Sequence, residues 1–176
     1  ALNAAFAITA ALLRRANTGE GQRVDVSMLD TAIFMQSPQM TGYLVTGKAP
    51  ELNGNASPTK QPTSNVFASS NGYVQVIAMK ETQVQALFTE LGMPERYAEF
   101  NEPTVRLARR DEVHSLIAPI IAAETTEYWL ETLDSIGVPV SAIQDFPAIA
   151  EEPQLAHRKV FIEQAHHLYP NQSVKV

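Results

Sequence analysis

Apolar side chains occupy nearly the whole circumference of a helix over residues 1–17, ALNAAFAITAALLRRAN, until Arg14 and Arg15 interrupt them. A helix that is hydrophobic all round is normally buried on several sides. Ala4, Ala7 and Ala11 recur at helical spacing and are small enough to let a neighbouring backbone come close. Gly19, within Thr18–Gln22, is placed to end this helix. The rhythm then changes to strict alternation at Arg23–Met28, which predicts a short strand. A second helical pattern runs over 29–44, where Pro38 should kink or break it.

Residues 47–62, GKAPELNGNASPTKQP, carry prolines at 50, 58 and 62 in polar, glycine-bearing sequence, and predict a long ordered loop or crossover. Beyond it, 65–69 and 73–79 flank Ser70-Asn71-Gly72, the pattern of a β-hairpin. Helical periodicity returns at 81–91, 104–124 and 126–136, the last led by Thr125 as a cap with acidic residues early. Gly137 ends that helix, 138–143 reads as a strand, and 145–150 as a short helix. A polar exit segment, 153–159, and one more strand at 160–164 close the pattern. The sum is the end of one α/β unit, then a compact α+β module that the chain finally leaves.

Composition narrows the function classes. At 45% hydrophobic and 18% charged, the 176 residues hold ample material for a core, so a wholly disordered chain is not expected. A net charge of -6 opposes nucleic acid as the main partner, since phosphate binding needs a concentrated basic face. The absence of cysteine removes disulfides, thiolate metal sites and a cysteine nucleophile, and fits a cytoplasmic protein. The apolar start is shorter than the roughly 20 residues that span a bilayer, so no membrane role is expected. It also lacks a visible cap or start signal, which suggests a chain cut from a longer one.

Three blocks resemble one family and occur in its order. AALLRRANTGEGQRVDVSMLD (10–30) is similar to the helix, Thr-Gly-x-Gly-Gln turn and strand that follow the family's catalytic aspartate. LNGNASPTKQPTSNVFASSNGYVQVIAM (52–79) resembles its Gly-Asn loop and hairpin, and TTEYWLETLDSIGVPVSAIQDFPAIAEEPQLAHR (125–158) its Trp-Leu, Gly-Val-Pro and Pro-Gln pattern. The family is that of the class III coenzyme A transferases, the CaiB/BaiF group that includes formyl-CoA and carnitine-CoA transferases. The resemblance implies an α/β fold, with the end of a large Rossmann-like domain at 1–46, an inserted small α+β domain at 47–148 and a return segment at 149–176. It further implies an intertwined homodimer.

The implied activity moves CoA from an acyl-CoA to a carboxylic acid. A carboxylate attacks the thioester, giving a mixed anhydride with an aspartate and then an enzyme-bound CoA thioester, so one acyl exchange is divided into easier steps. Aligning on the Thr18–Gln22 turn puts the nucleophilic aspartate just before Ala1. Asp25 and Asp30 belong to other family segments, so no catalytic residue is expected in this chain, which alone should not catalyse transfer. Met28 falls where the resemblance puts a residue near CoA, against the plainer reading of a core methionine. Gly54, Asn55, Ala56, Ser57, Lys60 and Gln61 match the loop that folds over the active site, where small residues let backbone amides approach an oxyanion or carboxylate. Pro58 departs from the family's glycine-rich form and stiffens the loop, while Lys60 is either a contact to a substrate carboxylate or CoA phosphate or simply solvated. Two alternatives stay open: an α-methylacyl-CoA racemase-like enzyme, and a non-catalytic dimerisation or truncated module.

Other features read as structural. The glycines of Thr18–Gln22 fit neither a dinucleotide nor a P-loop pattern. His157, Glu163, His166 and His167 fit no usual metal spacing, and no metal is expected. Trp129 with Leu130 and Leu133 should anchor the small-domain core. Arg106, Arg109 and Arg110 with Asp111 and Glu112 read as one solvated helix face, and Arg158 as half of a structural ion pair.

Overall fold

The structure, a computed structural model, describes residues 1–166 and 169–175. The chain divides into two units, Ala1–Leu52 and Asn53–Val176. In the first, α1 (Leu2–Thr18) ends on Gly19, whose φ of 77° is the left-handed value that glycine tolerates, and whose N–H donates to the Arg15 carbonyl. Arg14 reaches across the turn to Glu20 (3.0 Å) and Gln22 (3.1 Å). The segment 23–27 forms no ladder, contrary to the strand that its alternation predicts, because the first unit offers no second strand to pair with it.

Two helices follow, α2 (Met28–Met35) and α3 (Ser37–Thr46), separated at Gln36 with Pro38 in the first turn of α3. The single helix over 29–44 is thus broken where proline cannot supply an amide. No residue of 1–52 is fully buried; Ala4, Ala7 and Ala11 are half-buried, whereas Leu2 and Phe6 are 89% and 76% exposed. The all-round burial expected of α1 is therefore not supplied by contacts within this chain.

The second unit is built on a three-stranded antiparallel sheet. β1 (Ser64–Ala68) pairs with β2 (Tyr73–Ile77), and β2 with β3 (Val140–Ala142). Val74 and Val76 alternate with exposed Tyr73 and Ile77, so one face of β2 enters the core. Between β2 and β3 lie α4 (Glu81–Glu90), α5 (Pro94–Tyr97), α6 (Pro103–Ala108), α7 (Arg110–Ile121) and α8 (Thr126–Ser135). Val84, Leu87 and Phe88 of α4, Val113, Ile117 and Ile121 of α7, and Trp129 and Leu133 of α8 recur every three or four residues and meet in the core. After β3 come α9 (Phe146–Ala150), α10 (Pro153–His157) and an antiparallel pair, β4 (Glu163–His166) and β5 (Tyr169–Lys175). The polar exit segment thus contains a short helix, and β4 begins three residues later than the strand expected at 160–164, sharing Glu163 and Gln164 with it.

The hairpin forms where Asn71-Gly72 predicts it, but for a different reason. Neither residue has a positive φ, so this is not the two-residue turn that the pair favours. Four residues, 69–72, connect the strands, and Asn71 Oδ1 accepts from the Thr126 N–H (2.8 Å) at the start of α8. A Cβ on Gly72 would lie 3.1 Å from Thr126 Oγ1, so the close approach calls for glycine. Asn71 Nδ2 also donates to Glu127 (2.9 Å), and this hydrogen bond holds the Glu127 carboxyl below its ordinary range. A depressed carboxyl pKa stabilises the fold above its unfolded value and loses that contribution as pH falls through the folded value. Asn71→Ala should therefore raise the Glu127 pKa, read by NMR titration, and its destabilisation should shrink as Glu127 protonates in acid.

Candidate functional site

Two segments carry the residues singled out in the sequence, one in each unit. Met28 begins α2, where Ser27 Oγ accepts from the Asp30 N–H (3.2 Å) and caps the helix. Its side chain is 89% exposed. At the first position of a capped helix, Met28 is not packed into a core by any residue of this chain.

The loop 53–63 is a run of tight turns. Amides close successive i to i+3 bonds, from Ala56 to Asn53 (3.0 Å), Lys60 to Ser57 (2.8 Å) and Ser64 to Gln61 (3.0 Å). Gly54 and Lys60 take positive φ values, 56° and 58°, and the lysine bears a conformation that disfavours a side chain. Ser57 Oγ and Thr59 Oγ1 lie 2.7 Å apart, and the Ser57 N–H donates to the Ser64 carbonyl (3.3 Å). Gly54 and Asn55 are exposed at the crest; Ala56, Ser57, Lys60 and Gln61 are half-buried. The loop residues named from the sequence are thus brought together on one turn-rich segment, while Met28 belongs to the other unit.

The loop rests on a bed that sequence reasoning missed. Gln61 Nε2 donates to the Pro103 carbonyl (3.1 Å) at the start of α6, Thr59 Oγ1 approaches Met79 Sδ (3.8 Å), and Thr63 Oγ1 donates to the Ala78 carbonyl (2.8 Å). Three residues after Pro103 in α6, Arg106 is 1% exposed, not solvated. Its guanidinium forks onto Glu81 of α4, with Nη1 at 2.9 Å, and also donates to the Phe100 carbonyl (2.6 Å). The helix expected over 104–124 breaks at Arg109, which stacks 4.5 Å from the Phe100 ring and pairs with Glu112. That hydrogen bond lowers the Glu112 carboxyl pKa and raises that of Arg109. A signal for Arg106 existed: counting back from Val113, Ile117 and Ile121 by helical periods puts it on the same inward face.

Among the described residues no three histidine, cysteine or acidic side chains gather as metal ligands; His167 lies outside those residues. Arg158, expected in an ion pair, is exposed and forms none among the described residues. No helix among them is long and apolar enough to cross a membrane.

A sequence profile described as CoA-transferase family III matches residues 1–176. The chain is 31% identical to the acetyl-CoA:oxalate CoA-transferase of Acetobacter aceti over 96% of its own length and 44% of that protein's. It is 26% identical to the human succinyl-CoA:glutarate CoA-transferase, over 91% and 37% of the two chains. The crystal structure of a CaiB/BaiF family protein from Brucella suis superposes with a TM-score of 0.79 at 29% identity, covering 92% of this chain and 43% of that one. The chain therefore spans less than half the length of these relatives. With the profile matched from end to end and the α/β fold shared, this chain belongs to CoA-transferase family III.

Proposed function

We propose that this chain is the C-terminal portion of an enzyme that transfers CoA from an acyl-CoA to a carboxylic acid. The observation that carries the reading is the unbroken family match over 1–176, with similar proteins named as CoA-transferases for several different acids. On this reading 1–46 completes a large α/β domain, 47–148 is the small domain, 149–176 returns toward the first, and two copies intertwine in the cytoplasm.

Met28 lines the CoA path, and the loop of Gly54, Asn55, Ala56, Ser57, Lys60 and Gln61 faces the acyl and acid groups, with the Gln61 amide turned inward to Pro103. An upstream aspartate, just before Ala1, attacks the thioester carbonyl and expels the CoA thiolate. The thiolate then attacks the aspartyl carbonyl, releasing the donor acid and leaving an aspartyl-CoA thioester. The acceptor carboxylate displaces the thiolate again, and the thiolate finally takes the acceptor's acyl carbon, freeing the aspartate. Each step exchanges one acyl bond for another, so no oxidant or metal enters the balance. The loop supports a positioning role, because its turns are tied down and its crest is open.

The test is acyl exchange with acetyl-CoA or succinyl-CoA as donor and oxalate, mesaconate or glutarate as acceptor. The 176-residue chain should give none. A polypeptide extended through the upstream half should exchange at least one pair and lose the activity when that aspartate becomes alanine. Exchange by the 176-residue chain alone would contradict the placement of the nucleophile.

A further inference from the structure

We infer that Arg106 is a positioning residue for the loop 54–61 and that Gln61 is the strap through which it acts. The inference deepens the reading above, since it takes that loop to face the substrate. Arg106 joins two segments distant in sequence: its guanidinium is forked onto Glu81, which opens α4, and bonded to the Phe100 carbonyl, which leads into α6. Both segments carry the loop. Met79, two residues before Glu81, receives Thr59, and Pro103, three residues after Phe100, receives Gln61. The contacts therefore close a ring, from loop to α6, through Arg106 to α4, and back to the loop.

The orientation of Gln61 follows from chemistry. A carbonyl such as that of Pro103 only accepts, so the amide must present its NH2 group there. Its Oε1 is left buried without a partner among the described residues. Leucine would fill the same space without that orphaned acceptor, so Gln61→Leu cuts the strap while sparing the fold. Arg106→Lys keeps the charge but loses the two-pronged geometry that spans Glu81 and Phe100.

Hydrogen exchange on the 176-residue chain reads the strap without catalysis. Each variant is expected to speed exchange of the Ala56 and Lys60 amides roughly tenfold, with the double variant no faster than the larger single effect. The Leu91 and Val138 amides, bonded within the core, should keep their protection. Equal acceleration at all four amides for Arg106→Lys, or an unchanged loop in Gln61→Leu, overturns the inference. In a transfer-competent longer polypeptide, Gln61→Leu should raise KM for the acceptor acid more than it lowers kcat; KM and kcat both unchanged would overturn it. If no such polypeptide transfers CoA, the functional reading fails while the exchange result still decides whether the strap exists.

Discussion

Trp129→Ala should destabilise the second unit by about 4 kcal/mol, the range in which large aromatic truncations fall. The indole is 3% exposed at the junction of the core helices, and its Nε1–H donates to the Ile121 carbonyl at the end of α7 (2.8 Å). Alanine removes the ring and leaves a cavity that the surrounding packing can only partly close. It also leaves the Ile121 carbonyl without its shortest donor. Trp129→Phe, which keeps most of the ring but not the donor, should lose about 1–2 kcal/mol. Urea denaturation followed by far-UV circular dichroism is the measurement, since Trp129 is the chain's sole tryptophan and the tryptophan fluorescence signal is lost with it. A loss below about 1.5 kcal/mol for the alanine variant would mean that Trp129 does not organise this core.

Arg106→Met is the second large effect, expected at about 3 kcal/mol. Breaking a buried ion pair from one side costs roughly 3–5 kcal/mol because the remaining charge loses its partner. Here the lower end applies, since the Glu81 side chain is 42% exposed and can turn to water. The Phe100 carbonyl also loses its guanidinium donor. Replacing both partners, Arg106→Met with Glu81→Met, should recover most of the loss, because no charge then remains to be solvated. A double-mutant cycle from urea titrations measures the coupling. Additive losses in the two single variants would show that the pair contributes little beyond the packing of its carbon atoms.

Which features were legible from sequence depends on how local their causes are. α4, α7 and α8 each carry their apolar face within one continuous pattern, so periodicity suffices to find them. The hairpin was legible too, although Asn71 owes its place to capping α8, a contact across more than fifty residues that composition cannot reveal. The segment 23–27 misled because alternation shows a capacity for strand pairing, not the presence of a partner. Arg106 misled because its charge was weighed above its position on the helix, and Glu81, which makes burial tolerable, is distant in sequence. At the candidate site the crest of the loop could be named only through family resemblance. The bed beneath it, Pro103, Met79 and the Arg106–Glu81 pair, depends on contacts that only a folded chain displays.

The measurement closest to the heart of this reading is acyl exchange by the longest polypeptide encoded around this chain, followed by mass spectrometry of the enzyme during turnover. CoA transfer through an aspartyl intermediate predicts exchange between an acyl-CoA and a free acid, with CoA attached as a thioester to an aspartate just upstream of Ala1. Exchange with no covalent adduct, or an adduct elsewhere, would contradict the proposed chemistry. A complete polypeptide inert toward every donor and acceptor pair would leave the family membership standing and remove the function proposed from it.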